Sequence, residues 1–183
     1  MIVRTLTFVF LLIWLPIGAA YAGGAETGFD MKNRHEPLSG VMTGGKPTKE
    51  DLMKLKAEGY TTVINLMMPN EVIPTVNKAD DEKYNFPEGD YVASLGLHYV
   101  SIPVKVPDGL TEANARLVDE ALKAAKGPVL LHCSSGGRAG AMLALRAFYV
   151  DGAKPDEALA LGRKGGVSIL EPDVKAILGI KDE

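Results

Sequence analysis

The sequence predicts an α/β fold, a three-layer sandwich with a mostly parallel central sheet. Three observations point there. Short apolar or β-branched runs at 60–66, 98–104 and 128–132 are separated by helical patterns, with no hairpin turns between them, which is how βα units build a parallel sheet. The helical patterns are apolar along one stripe, as helices laid on a sheet must be. Residues 127–150 read as strand, tight loop of small residues and helix in immediate succession.

The N-terminus reads as a targeting segment. Arg4, the apolar residues 6–17 and Ala20-Tyr21-Ala22 have the layout of a secretory signal cleaved after Ala22. An uncleaved anchor is the other reading, although the apolar run is short against the ~20 residues of a spanning helix. Loss of residues 1–22 removes one cation, Arg4, and no acid, taking the net charge from −3 to about −4. Residues 23–37 are expected to be a flexible mature N-terminus, and 38–183 a single domain large enough for its own core.

Within that domain, 38–43 is expected to be the first strand and 44–47 a turn. Thr48 then caps a helix, with Asp51 at the third helical position as in a capping box. Leu52 and Leu55 face inward and Gly59 stops the helix. Lys46 faces either the site's anion or, more simply, solvent. The run 60–66 is a central strand, and its exit at 67–71 opens toward the side where ligands gather in parallel sheets. Glu71 there either orients a neighbouring group or is a plain surface carboxylate. Residues 74–90 form a polar loop with a short helix around 78–84, placed to act as a lid or recognition segment. Its Asp80-Asp81-Glu82 cluster lacks ligand spacing and reads as a solvated face. Residues 91–95 finish a short helix and 98–104 form the next strand, with His98 structural.

Thr111 caps a helix to about residue 126, with Leu117, Val118, Ala121, Leu122 and Ala125 on its packing face. Asp151-Gly152 breaks the long helix that follows the loop. Pro155 opens the next, packed by Ala158, Leu159 and Leu161, and 171–180 form a last short helix.

The chemistry concentrates in the loop after 128–132. Cys133 is the chain's one cysteine, so no internal disulfide is possible. Ser134, Ser135, Gly136 and Gly137 follow it, and the two glycines allow backbone angles closed to other residues. Such a turn aims successive N–H groups inward, beside the positive end of a helix dipole, as an anion cradle that favours a thiolate. Arg138 at the far lip supplies a planar fork that matches an oxyanion. His132 is expected to steady the loop through hydrogen bonds. A buried, inert cysteine is the plain alternative. His35, His98 and His132 share no metal spacing, so neither a metal nor another cofactor is expected.

The run His132-Cys133-Ser134-Ser135-Gly136-Gly137-Arg138 resembles the signature loop of cysteine-dependent tyrosine and dual-specificity phosphatases. It is most similar to the bacterial phosphatase-like domains called beta-lactamase hydrolase-like. The likeness continues upstream through Gly44-Gly45-Lys46-Pro47-Thr48, Thr62-Val63-Ile64-Asn65-Leu66 and Tyr99-Val100-Ser101-Ile102-Pro103, over roughly 38–165. It implies a cysteine-phosphatase-like fold with Cys133 as nucleophile. Arg138 and the amides of Ser134, Ser135, Gly136 and Gly137 would then bind substrate, with Asp108 as the general acid on the loop after the equivalent strand. Pro107-Asp108-Gly109 is equally a plain turn. Two features depart from the phosphatase pattern. Four residues, not five, separate Cys133 from Arg138, a spacing shared with rhodanese-type sulfurtransferases. Ala139 stands where a hydroxyl residue would help the thiolate leave.

Three functions stay open on these grounds: an exported phosphatase acting through a phosphocysteine, a sulfurtransferase carrying a Cys133 persulfide, and a binding module for anions or phosphoproteins. The partner in each case is a phosphorylated or other anionic substrate. The acidic balance argues against nucleic acid as a partner, and no stable membrane association is expected after signal cleavage.

Overall fold

A computed structural model describes residues 28–181. The signal-peptide expectation lies outside them. In chain order the elements are β1 (His35–Leu38), β2 (Val41–Gly44), α1 (Lys49–Ala57), β3 (Thr62–Asn65), α2 (Lys78–Tyr84), α3 (Glu88–Ser94), β4 (His98–Ser101), α4 (Glu112–Ala124), β5 (Val129–His132), α5 (Gly137–Tyr149), α6 (Pro155–Lys164) and α7 (Glu171–Leu178).

The strands form one sheet in the order β1-β2-β5-β3-β4, parallel except for β1. The expected sandwich is observed, and the alternation along each strand explains its layers. Met42, Val63 and Leu130 point to the face covered by Leu52 and Leu55 of α1 and Val92 of α3. Ile64, Val129 and Leu131 point to the opposite face, against α4, α5, α6 and α7. The middle strand is β5, with β3 beside it. The parallel strands also stop in step, since His132 is level with both Gly44 and Asn65, and Asn65 with Ser101. The loops that leave those ends therefore meet at one edge.

α1 begins as the sequence predicts. Thr48 Oγ1 accepts from the Asp51 amide at 3.0 Å, and Asp51 Oδ2 accepts from the Thr48 amide at 3.0 Å. Thr111 caps α4 and Pro155 opens α6. α5 is buried almost throughout because glycines let α6 approach it. A Cβ on Gly140 would stand 2.4 Å from the Val167 nitrogen and 2.7 Å from the Gly162 oxygen.

Three expectations need correction. The first strand is a hairpin of β1 and β2, turned at Gly40 with φ +73°. Ser39-Gly40 is the turn signal that the single-strand reading passed over. Residues 28–37 are packed rather than flexible. Met31 is buried in the α1-side core, and the Asp30 amide donates to Asp51 Oδ1 at 2.8 Å. On α4, Leu117 faces solvent, and Ala115 and Asp119 are buried with Val118. The polar Asp119 is drawn inward by Arg146, whose Nε donates to it at 2.9 Å.

Candidate active site

The loop between β5 and α5 leaves the middle of the sheet, at the level where the parallel strands end. The Gly136 amide donates to Cys133 Sγ at 3.1 Å, which turns one N–H of the loop onto the sulfur. Gly136 is the N-cap of α5, and its φ of +94° is open to glycine at little cost. Gly137 does not share that conformation. Apart from its chain neighbours and the backbone of its own helix, no heavy atom would lie within 4 Å of a Cβ at Gly137, so its face borders open space.

The loop is held from behind. Ser134 O accepts from the Lys46 amide at 3.2 Å, Gly44 O accepts from the Cys133 amide at 3.2 Å, and Gly45 bridges to Ser135. The side chain of Asn33 lies against Gly136 and donates to Gly166 O at 2.9 Å. The lead-in segment therefore closes the underside of the loop, a contact without a sequence signal.

Arg138 is gripped rather than free. Nη1 donates to Glu71 Oε2 at 2.8 Å and Nη2 to Glu71 Oε1. Further bonds run to Leu66 O and Val104 O at 3.2 Å each and to Ser134 Oγ at 2.9 Å. Burial works to lower the pKa of the guanidinium. The Glu71 bond and the neighbouring Cys133 outweigh it, and the pKa is raised. Burial likewise opposes the charged form of Glu71, yet Arg138 and the Met68 amide hold its carboxyl below the usual range. Of the two readings of Glu71, the orienting group is the observed one.

Below the loop lies a buried polar cluster. His132 Nε2 sits 2.7 Å from Glu88 Oε1, its Nδ1 3.3 Å from Cys133 O, and Lys46 Nζ donates to Glu88 Oε2 at 3.0 Å. Burial raises the Glu88 pKa, but His132 and Lys46 together prevail and hold it low. His132 steadies the loop as expected. Lys46 is corrected: it is 8% exposed, not solvated. Glu88 was missed, because one carboxylate in a polar stretch has nothing to set it apart from Asp80, Asp81 or Asp90.

A cleft of about 420 Å³ opens above the loop, lined by Met68, Glu71, Val106, Ser134, Arg138 and Ile169 among others. Ser135 and Gly137 also border it, whereas Gly136 and Cys133 lie deeper, with Cys133 1% exposed under the floor. Asp108 is not brought to the cleft. Its side chain is 76% exposed and pairs with Lys105 at 3.7 Å. Glu71 is the one carboxylate lining the cleft among the described residues. Those residues also hold no group of three His, Cys, Asp or Glu that could bind a metal ion.

Comparison with known proteins agrees with this geometry. Beta-lactamase hydrolase-like proteins are similar in sequence. That of Xylella fastidiosa (strain Temecula1) is 30% identical over 129 residues, covering 68% of this chain and 27% of the relative. That of Agrobacterium fabrum is 32% identical over 95 residues, covering 52% and 20%. The chain thus spans about a quarter of the length of these relatives. Among solved structures, a phosphatase-like protein of Neisseria meningitidis superposes with a TM-score of 0.62 at 18% identity, over 80% of this chain and 97% of that one. TpbA of P. aeruginosa in complex with phosphotyrosine gives 0.53 at 18% identity, over 79% and 81%. PTPMT1 gives 0.54 at 22%, over 80% and 96%. These likenesses establish the cysteine-phosphatase type of fold. Residues 21–168 match the model of the family described as DSP-PTPase phosphatase fused to NAD+ kinase, and the chain belongs to that phosphatase family.

Proposed function

We propose that this protein hydrolyses phosphate monoesters through a phosphocysteine on Cys133, and that it does so after export. The observation that carries the reading is the Gly136 amide donating to Cys133 Sγ at 3.1 Å within a loop capped by Arg138. That bond holds the sulfur among the N–H groups of the loop, where it can serve as the nucleophile. Cys133 Sγ attacks phosphorus, an S–P bond forms and the P–O bond to the alcohol breaks. The alcohol leaves with a proton from water in the cleft, and the hydroxide so formed attacks phosphorus. The S–P bond then breaks, releasing inorganic phosphate and restoring the thiolate. Loop amides and Arg138 offset the charge on the equatorial oxygens. Export rests on the n-region, apolar run and Ala20-Tyr21-Ala22 of the sequence.

The test is hydrolysis of an aryl phosphate from about pH 5 to 7 under reducing conditions, beside Cys133→Ser. Turnover lost in Cys133→Ser supports the reading; equal turnover in both ends it.

Sulfur transfer is the second reading, favoured by the four-residue spacing and by a cleft whose one carboxylate is committed to Arg138. Cys133 would take the outer sulfur of thiosulfate as sulfite leaves. Cyanide would then remove it as thiocyanate and restore the thiolate. Neither step needs a proton donor for the leaving group. Thiocyanate formation that depends on Cys133, with no phosphate release, would replace the first reading by this one.

A further inference from the structure

Among the described residues, seven large apolar side chains stand exposed, and five of them line the cleft above the catalytic loop or the depressions beside it: Met68, Val72, Val76, Val106 and Ile169. Met68, Val106 and Ile169 line the cleft above Ser134 and Arg138. Val72 lines an adjoining depression that shares Glu71 and Met68 with the cleft, and Val76 a third that shares Ser134. They come from three separate loops, β3–α2, β4–α4 and α6–α7, so the clustering is not a local accident of sequence. Ile169 is 90% and Val76 94% exposed. Apolar groups gathered beside a polar centre mark a binding surface.

We propose that the part of this ring that lines the cleft, Met68, Val106 and Ile169, is the leaving-group site, and that its ligand is an amphiphile: a phosphate monoester whose alcohol carries an aliphatic chain. The inference rests on the phosphatase reading and names its substrate class. The anion cradle fixes where the phosphate sits, and the ring fixes what lies next to it. A sugar or inositol alcohol would bring hydroxyls that need partners, and outside the catalytic loop and Glu71 the cleft wall offers only Lys105 and Ser168 as polar side chains. A peptide would bring a donor and an acceptor per residue to the same apolar wall. An aliphatic chain needs none, and the Met, Val, Ile and Leu side chains of the wall suit its flexible shape. No aromatic ring lines the cleft to stack on a planar leaving group.

The test is the affinity of the full-length Cys133→Ser protein for methyl, butyl and octyl phosphate, kept monomeric and measured by calorimetry. Glycerol phosphate and a phosphopeptide with apolar flanks complete the panel. The alkyl series holds the headgroup constant, so its slope reads burial alone. Affinity is expected to rise about twofold per methylene, half the ~4-fold of complete burial, or on the order of 100-fold from methyl to octyl. Ile169→Ser and Val106→Ser, both at exposed positions, should cut the octyl-to-methyl ratio at least fivefold, while Leu117→Ser, exposed on α4 away from the cleft, should leave it unchanged. A flat series, a ratio insensitive to Ile169 and Val106, or tighter binding of the phosphopeptide than of octyl phosphate would overturn the assignment. A steep series together with no hydrolysis of either octyl or aryl phosphate by wild type would instead remove the phosphatase reading and keep the amphiphile site.

Discussion

Glu71, at the exit of β3, and Arg138, in the first turn of α5, are 67 residues apart in sequence and joined by two parallel N–H···O contacts. The arginine proposed to clamp an oxyanion is therefore already held in orientation by a carboxylate of its own chain.

Removing that grip should cost both transition-state binding and stability. Glu71→Gln keeps the shape but loses the charge. The expected outcome is a fall of about tenfold in kcat/KM, the scale of one charge-assisted hydrogen bond, with a lower Tm, because the buried Arg138 is left without its carboxylate. Steady-state kinetics and thermal melts check this. A gain in affinity for inorganic phosphate would show instead that Glu71 competes with the substrate for Arg138.

The buried cluster of Lys46, Glu88 and His132 should make the fold acid-sensitive. The Glu88 carboxyl is held below its unfolded value. Its contribution is thus complete above the unfolded pKa of about 4.3 and is lost as pH falls through the lower folded value. Glu88→Gln should destabilise by about 3 kcal/mol at pH 7, because it leaves the buried Lys46 ammonium without its carboxylate partner. It should also flatten the decline of stability below about pH 4.3. Denaturant unfolding at pH 7 and pH 4 measures both effects, and an unaltered acid slope would mean that other carboxylates dominate it.

Asp108→Asn is expected to change kcat/KM by less than about twofold on an activated aryl phosphate. A working general acid contributes on the order of 10²–10⁴-fold, and Asp108 stands in solvent beside Lys105. A hundredfold loss would mean that the 105–109 loop folds over the cleft during turnover.

Gly136→Ala should destabilise by about 1–2 kcal/mol from the left-handed backbone alone. The clash of its Cβ with Asn33 Nδ2, at 2.7 Å, adds to that. Asn33→Ala should relieve the clash and not the backbone strain. The double variant is therefore expected to be more stable than the sum of the two single changes implies. Additivity in a double-mutant cycle would place Asn33 out of contact with the loop.

The parts of the fold that sequence makes legible are those with local causes. Thr48 and Asp51 satisfy each other's backbone within four residues, Thr111 and Pro155 start helices by their own chemistry, and β3, β4 and β5 announce themselves by apolar or β-branched runs. The Cys133 loop between strand and helix is legible for the same reason, since Cys133 to Arg138 is one contiguous stretch. The surroundings of the loop are not. Lys46 meets Glu88 across 42 residues and Arg138 meets Glu71 across 67. No periodicity links either pair, and solvent is the reasonable expectation for an isolated charged residue. Asn33 has no sequence signal because its partners, Gly136 and the Gly166 carbonyl, lie more than a hundred residues away.

The even termination of the parallel strands has a consequence for loop grafting. Because Gly44, His132, Asn65 and Ser101 end at one level, the segment between β3 and β4 looks exchangeable as a cassette for retargeting the cleft. Yet this one segment carries both Glu71 and Glu88, which secure the arginine above the thiol and the lysine–histidine pair below it. A donor loop lacking either carboxylate would alter the nucleophile's support along with the specificity, so a transplant has to bring both anchor points.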